Sequence, residues 1–377
     1  MMKCDYKVSI ITVVYNGVRT IEKTIQSVIH QTYKDIEYIV IDGASTDGTQ
    51  QIVEKYMNHI SYYSSEKDEG LYHAMNKGIR KATGDIIGIL NSDDWYTEKA
   101  IQDIVTYFRH NDVELVYGKI ISVSMDNKEV IKWGTSLESI WYQMALLHPS
   151  VFVKKDVYDK FGVFNLKYSL AADYDLLLRF YAQNVRFGFI DEVITYFSEG
   201  GLSAKKAAEV YKQGYEISMS YVDRCPYKEN VLPKIQETYN WLCFSLQLQI
   251  SKGLIYKLLR LYFNRNIITL NIFGTGIWAE RCYQNLLGSE VEIICFSDND
   301  MLKWDTMFEG IKVVSPQKLK KIDVPILIAV REAGDTIKSQ LQSMGIAKSD
   351  CVTIKELGLI FTKLTKKLVD NTNKNVP

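Results

Sequence analysis

Short apolar runs alternate along the first 120 residues with segments whose apolar positions recur at helical spacing. Residues 8–14 (VSIITVV) read as a buried strand that stops at the turn signal Tyr15-Asn16-Gly17. Ile21, Ile25, Val28 and Ile29 then share one helical face. Residues 36–41 predict a second strand, ending at Asp42-Gly43. A helix opened by the capping-type residues Ser45-Thr46-Asp47 comes next, carrying Ile52, Val53 and Tyr56 inward. The pattern continues with a strand over 60–64, a helix over 71–83 and a strand over 85–90. A helix built on Ile101, Ile104, Val105 and Phe108 and a strand over 113–117 complete it. Strands and helices alternating in this way predict an α/β fold: a mostly parallel sheet flanked by helices.

Beyond residue 118 the rhythm changes. Residues 119–133 predict a hairpin turning near Asp126-Asn127, and an α+β elaboration runs to about 203. A helical segment covers 204–266. A new βα rhythm starts at Ile267, with strands over 268–273, 291–296, 324–330 and 351–354 and a helix over 277–287. The expected organisation is a first domain over 1–203, a helical connector over 204–266, a small α/β domain over 267–360 and a frayed polar tail over 361–377.

Composition narrows the classes. The chain has 377 residues, 47% of them hydrophobic, and its 45 basic side chains balance its 45 acidic ones. This is a soluble globular composition, and the balance argues against a dedicated nucleic-acid binder. Cys4, Cys225, Cys243, Cys282, Cys295 and Cys351 form no C-x-x-C pair, so they read as small buried residues in a reducing compartment. No apolar stretch nears the ~18 residues of a membrane span, and the first apolar run is too short for a signal peptide. A cytoplasmic protein is expected. One basic amphipathic stretch, Lys252, Lys257, Arg260 and Arg265 among Leu254, Ile255, Leu258, Leu259, Leu261 and Phe263, fits either an interdomain helix or peripheral contact with the inner membrane surface.

In an open parallel sheet, ligands bind beyond the carboxyl ends of the strands. Those ends carry Thr12 to Asn16, Asp42, Glu66 to Gly70, and Asn91-Ser92-Asp93-Asp94. Asp42 is placed to accept from an imide-like N–H or a ribose hydroxyl. Asp93 and Asp94 are like charges side by side, a pairing that Mg²⁺ or Mn²⁺ with a substrate diphosphate relieves. In the alternative reading Asp94 caps the next helix and Asp93 alone meets the cation.

These segments, together with His148-Pro149-Ser150, Ala171-Ala172-Asp173-Tyr174-Asp175 and Gly200-Gly201-Leu202-Ser203, resemble the family 2 glycosyltransferases of GT-A fold over about residues 7–203. The resemblance implies an inverting transfer from a nucleoside-diphosphate sugar, expected to be UDP-linked, to a glycan or polyprenyl-linked acceptor in surface polysaccharide synthesis. By position, Thr12, Tyr15, Asn16, Asp42, Asp68, Gly70, Asn76, Asn91, Ser92 and Asp93 would line the donor site. Asp93, with His148, would hold Mg²⁺ or Mn²⁺. Asn91 departs from the family's Asp-x-Asp motif and brings an oxygen without a charge. Asp173 matches the family's base. A metal-neutralised diphosphate leaves without protonation, so one carboxylate suffices, unlike the pair that glycoside hydrolysis needs. Asp173 as a helix cap beside a solvated Asp175 is the structural alternative. Trp95, Trp133 and Trp141 suit sugar stacking or, for at least two of them, core packing. The competing functions are a metal-dependent nucleotidyltransferase, whose basic glycine-rich phosphate loop is missing, and a non-catalytic sugar-nucleotide binder.

Gly274-x-Gly276-x-x-Ala279, opening a helix after a strand, with Asp298 ending the next strand, has the form of a dinucleotide fingerprint. It marks residues 267–360 as Rossmann-like. A bound nucleotide and a purely structural or regulatory role are both open on this pattern.

Overall fold

The computed structural model describes residues 6–373 except 125 and 323. It divides into two compact units, Met1–Thr238 and Tyr239–Pro377. Along the first unit run β1 (Val8–Val14), α1 (Ile21–Ile29), β2 (Ile36–Asp42), α2 (Thr49–Glu54), β3 (Tyr62–Ser65), α3 (Leu71–Lys81), β4 (Ile86–Asn91), β5 (Trp95–Tyr96) and α4 (Ala100–His110). Then come β6 (Leu115–Val123), β7 (Glu129–Lys132), β8 (Phe152–Lys154), α5 (Lys155–Phe161), α6 (Ala172–Ala182), β9 (Phe187–Ser198), α7 (Leu202–Lys205), α8 (Ala207–Tyr221) and the start of α9 (Lys228–Ile250).

The sheet order is β3-β2-β1-β4-β8-β6-β9-β5, with β7 on β6. β1 pairs in parallel with β2 and β4, and every one of its residues is buried. Alternation sends Ile11 and Val13 to one face and Val8, Ile10 and Val14 to the other. Burying each such side chain contributes roughly 1.5–3 kcal/mol, which makes β1 the axis of the fold. α3 lies tight on it because of Gly78, where a Cβ would stand 2.3 Å from Ile11 Cγ2. The short β8 pairs antiparallel with both β4 and β6, so the parallel run ends at β4 and the strand expected over 113–117 is separated from it. The predicted hairpin is present as β6–β7, and β6 also pairs in parallel with β9.

The second unit contains α10 (Leu254–Phe263), β10 (Thr269–Phe273), α11 (Ile277–Leu286), β11 (Glu292–Ser297), β12 (Met307–Phe308), β13 (Ile311–Val314), α12 (Pro316–Leu319), β14 (Ile326–Ile328), α13 (Gly334–Ser343), β15 (Cys351–Thr353) and α14 (Ile354–Asn373). Its sheet order is β12-β13-β11-β10-β14-β15, parallel except for β12. The five parallel strands therefore run third, second, first, fourth, fifth, the doubly wound order with its switch between β10 and β14.

Three expectations change. The segment 204–266 is not a separate connector. Ile217, Val231 and Ile235 are buried in the first unit's core, and Trp241, Phe244 and Leu258 in the second's. The tail is helical to Asn373, because Ile354 and Leu357 bury the first turn of α14 and anchor the remainder of that helix; residues 374–377 lie outside the described residues. Ser45 and Thr46 do not cap α2, whose N-cap is Gly48; of the three only Asp47 serves the helix end, its Oδ1 accepting from the Thr49 N–H at 3.0 Å. Cys225, Cys282, Cys295 and Cys351 are buried and Cys243 half-buried, all as free thiols; Cys4 lies outside the described residues. No helix among the described residues is long and apolar enough to cross a membrane.

Candidate active site

The loops after β1 and β2 are bonded to each other. The Asn16 and Gly17 N–H groups donate to Ser45 Oγ and Thr49 Oγ1 (2.7 and 2.9 Å), and Thr46 N–H donates to Asn16 Oδ1 (3.0 Å). Val18 N–H donates to Asp47 Oδ2 at 3.0 Å. Ser45, Thr46 and Asp47 thus act as braces between loops, and Asn16 keeps its left-handed φ of 52° at the turn. Tyr15, 69% exposed, lies over Gly43. A Cβ at position 43 would meet the Tyr15 ring at 3.3 Å and Asp68 Oδ2 at 3.5 Å, so these three residues come together at one point.

The two acids of this region differ. Asp42 is fully buried and accepts from Ser45 N–H, Ser45 Oγ and Ser65 Oγ. A ligand reaches it only by displacing a serine hydroxyl. Asp68 commits Oδ1 to His73 (3.0 Å) and Lys77 (2.8 Å), while its buried Oδ2 has no hydrogen-bond partner. An unpartnered buried carboxylate oxygen is costly, and an N–H or hydroxyl brought by a ligand removes the cost. Asp68 therefore fits the acceptor role expected of Asp42 better than Asp42 does. Gly70 opens α3 beside it with φ 132°.

The end of β4 and the loop after it hold a second set of unfilled acceptors. Asn91 Oδ1 and Asp94 Oδ2 are buried without hydrogen-bond partners. Asp94 does not cap α4, whose N-cap is Lys99. It reaches instead to the Ser198 N–H (2.9 Å) at the end of β9. Burial, then the Asp93 charge, pushes the Asp94 carboxyl well above the usual carboxylate range. Burial also raises Asp93. Asp93 lines a cleft of about 300 Å³ with Arg19, Lys23, Trp95, Ser198 and Glu199. Ser92 approaches Gly17: a Cβ there would stand 3.2 Å from Ser92 Oγ.

Asp173 sits in the first turn of α6, where Ala171 is the N-cap, so it is not the cap. Its Oδ1 accepts from Tyr72 Oη (3.0 Å) and Tyr174 N–H (2.9 Å), and its Oδ2 takes no hydrogen bond among the described residues. Because Tyr72 lies two residues after Gly70, this bond brings Asp173 across 101 positions to the loop of Asp68. Asp175 is not solvated: it is buried against Arg179 and Tyr221, and burial raises its carboxyl. His148 packs edge-on against Phe164, and burial lowers its imidazole while the Asp173 charge opposes that.

Other expected residues belong to the scaffold. Thr12 is fully buried, accepting from Tyr38 Oη at 3.1 Å, so its side chain cannot meet a ligand. Asn76 brackets the Phe164 backbone, its Nδ2 donating to the carbonyl and its Oδ1 accepting from the N–H, both at 2.9 Å. Of Trp95, Trp133 and Trp141, only Trp141 is core; Trp133 is 63% exposed, and Trp95 stacks on Tyr196 at 5.1 Å with Lys23 over its ring. Sequence reasoning missed Tyr72, Ser65, Arg19, Lys23 and Ser198. Tyr72 alone had a signal, its place in the first turn after Gly70.

A family model described as "Glycosyl transferase family 2" matches residues 9–164. Residues 9–164 belong to glycosyltransferase family 2. This glycosyltransferase segment holds every expected donor-site residue and His148, whereas Asp173 and Gly200-Gly201-Leu202-Ser203 lie beyond the matched span. Among curated proteins, the chain is 28% identical over 204 residues to a "PGL/p-HBAD biosynthesis glycosyltransferase" of Mycobacterium bovis, covering 52% of this chain and 78% of the relative. It is 26% identical over 250 residues to the Escherichia coli "UDP-Glc:alpha-D-GlcNAc-diphosphoundecaprenol beta-1,3-glucosyltransferase WfgD", covering 64% of this chain and 95% of the relative. Among solved structures, S. aureus TarS 1–349 in complex with UDP-GlcNAc superposes with a TM-score of 0.50 at 19% identity, over 61% of this chain and 72% of that one. Of a longer TarS chain, 43% is covered. That likeness is one of fold, and it is the GT-A fold. In the second unit, a model described as "C2185-like, N-terminal" matches residues 264–352.

Proposed function

We propose that this glycosyltransferase moves a sugar from a UDP-linked donor to a glycan or polyprenyl-linked acceptor in a single inverting displacement, in surface polysaccharide or glycolipid synthesis. The observation that carries the reading is the Tyr72–Asp173 hydrogen bond, which ties a carboxylate with one open oxygen to the first turn of α3, the helix that follows the Asp68 loop. UDP is favoured because the WfgD name and the TarS complex both include it. Asp68 Oδ2, which meets Tyr15 at Gly43, would accept from the base or ribose of the donor.

The residues after β4 fit a divalent cation. Asn91 offers a buried, unpartnered oxygen, and Asp93 a carboxylate whose burial a cation would offset. No group of three or more His, Cys, Asp or Glu suited to a metal occurs among the described residues. This agrees with Mg²⁺ or Mn²⁺ held by one carboxylate, an amide oxygen and substrate phosphates. Asn91 and Asp93 would hold it; His148 faces Phe164 and Asp173 and is better placed beside the base. When bound, the cation neutralises charge on the leaving diphosphate. Arg19 and Lys23, in the cleft with Asp93, add positive charge from the protein itself. Asp173 Oδ2 takes the proton of the attacking hydroxyl while Tyr72 and the Tyr174 amide fix the carboxylate's orientation.

The test is hydrolysis and transfer assayed with UDP-, GDP- and dTDP-sugars, with Mn²⁺, Mg²⁺ or EDTA. Turnover of a UDP-sugar that EDTA abolishes is expected. Preference for a GDP- or dTDP-sugar overturns the donor assignment, and full activity in EDTA overturns the cation's role.

A further inference from the structure

We infer that the second unit carries a docking surface for anionic lipid bilayers, centred on α10 and the loop after it. α10 buries Ile255, Leu258 and Leu259 in the unit's core. Lys257, Arg260, Leu261 and Asn264 fall at i, i+3, i+4 and i+7, a single outward face. With Arg265 and Asn266 they line an open cleft of about 710 Å³ whose lining contains no acid. All six are exposed.

The charge there is uncompensated. No carboxylate among the described residues forms an ion pair with Lys257, Arg260 or Arg265. Lys303, Lys312, Lys318 and Lys338 of the same unit are paired, while Lys320, Lys321 and Lys348 are not; what sets the three apart is that they share one cleft without an acid. In a chain of zero net charge, three unpaired cations on one face are a local concentration and not a consequence of composition. Their mutual repulsion opposes the fold, and an anionic surface reverses its sign. Arg260 and Arg265 also lean on the Tyr256 and Phe263 rings (5.6 and 6.0 Å to the ring centres), which holds the guanidiniums in place.

Exposed aliphatic side chains select the partner. Leu261, in the lining of the cleft, is 56% exposed, and Ile268, three residues beyond Arg265 in the chain, is 66% exposed. A polyanion in water leaves both of them wet. A bilayer places the guanidinium and ammonium groups among phosphates and the aliphatic groups at the acyl boundary. This surface lies wholly in the second unit and does not depend on the glycosyl-transfer assignment.

The experiment is co-sedimentation of the full chain with phosphatidylcholine vesicles, with and without about a third phosphatidylglycerol. Binding to the anionic vesicles alone is expected, weakening as salt rises from about 0.1 M toward 1 M. The triple variant Lys257→Glu, Arg260→Glu, Arg265→Glu should lose at least roughly 100-fold in partitioning, from about fivefold per cation. The glutamine version should lose a similar amount, which separates loss of attraction from added repulsion. Leu261→Ser with Ile268→Ser should lose several-fold. Melting temperatures matching wild type show that the variants fold. Equal binding to neutral vesicles, no binding by wild type, or wild-type binding by any of these variants overturns the proposal.

Discussion

The chain contains two units that both end central strands in glycine-and-acid loops, yet Asp298 of the second and Asp68 and Asp94 of the first are in opposite states. In the second unit, Asp298 accepts from Thr275 Oγ1 (2.5 Å), Lys303 Nζ (3.2 Å) and the Asp300 N–H (2.9 Å). Its carboxylate is filled by its own neighbours and held below the usual range, burial being outweighed by these bonds. In the first unit, Asp68 Oδ2, Asn91 Oδ1 and Asp94 Oδ2 are buried without hydrogen-bond partners. Motifs of one form can thus close a turn or hold a site open. The satisfaction of their oxygens, and not the motif, distinguishes the two.

The sharpest way to break this contrast is at Asp173. Asp173→Asn keeps the shape and the acceptor for Tyr72 but removes the proton-accepting charge. Transfer should fall by about 10²–10⁴-fold with donor affinity unchanged, measured by turnover and by calorimetry with UDP-sugar. Normal turnover would show that the open oxygen is not the base.

Next in size is a residue whose functional reading the structure replaces. Asn76→Ala strips partners from both the N–H and the carbonyl of Phe164. At about 1–3 kcal/mol for each of the two buried groups left unpaired, a loss of roughly 2–6 kcal/mol is expected in urea unfolding. Weakened donor binding with stability intact would return Asn76 to the site.

Why Asn76 misled, while the strands did not, is physical. The central strands of both units show in the sequence because burial on both faces demands nearly continuous apolar runs such as 8–14 and 36–41. The strand-end loops show because polar residues there interrupt those runs. What a polar side chain near these strand ends faces depends on contacts from far along the chain: Phe164 for Asn76, Tyr72 for Asp173, Ser198 for Asp94. Periodicity carries no record of them. Thr12 teaches the same lesson. Its place near the end of β1 was legible, but strand alternation turns its hydroxyl into the core beneath Tyr38.

A milder test uses the amino end of the first sheet, where an acid is also satisfied. Burial alone would raise Glu37, but hydrogen bonds from Ser9, Thr83 and Lys7 outweigh it and hold the carboxyl at about 2, against an ordinary 4.5. A depressed carboxylate contributes stability that is present above about pH 4.5 and lost as pH falls toward 2. Glu37→Gln should therefore melt about 2–4 °C lower at neutral pH, with the two curves converging in acid. Parallel curves at every pH would assign the difference to packing instead.

The smallest expected effect lies at Thr275, and it separates a closed turn from a masked site. Gly274 holds φ 111°, and a Cβ there would meet Val330 Cγ2 at 2.9 Å, so the turn needs glycine for its own geometry with or without a ligand. Thr275 offers Asp298 the hydroxyl that a ribose would offer, and exchanging one hydroxyl for another costs little. If the turn is only structural, Thr275→Ala should cost about 1 kcal/mol. It should leave sugar transfer unchanged, and the full chain should show no thermal shift with NAD or NADP. If Thr275 masks a nucleotide site, the same variant should gain one. A ligand at 100 times its Kd adds about 2.7 kcal/mol of stability, far above the cost of the lost hydroxyl. The sign of the change in melting temperature with NAD present therefore decides whether the second loop is filled or waiting.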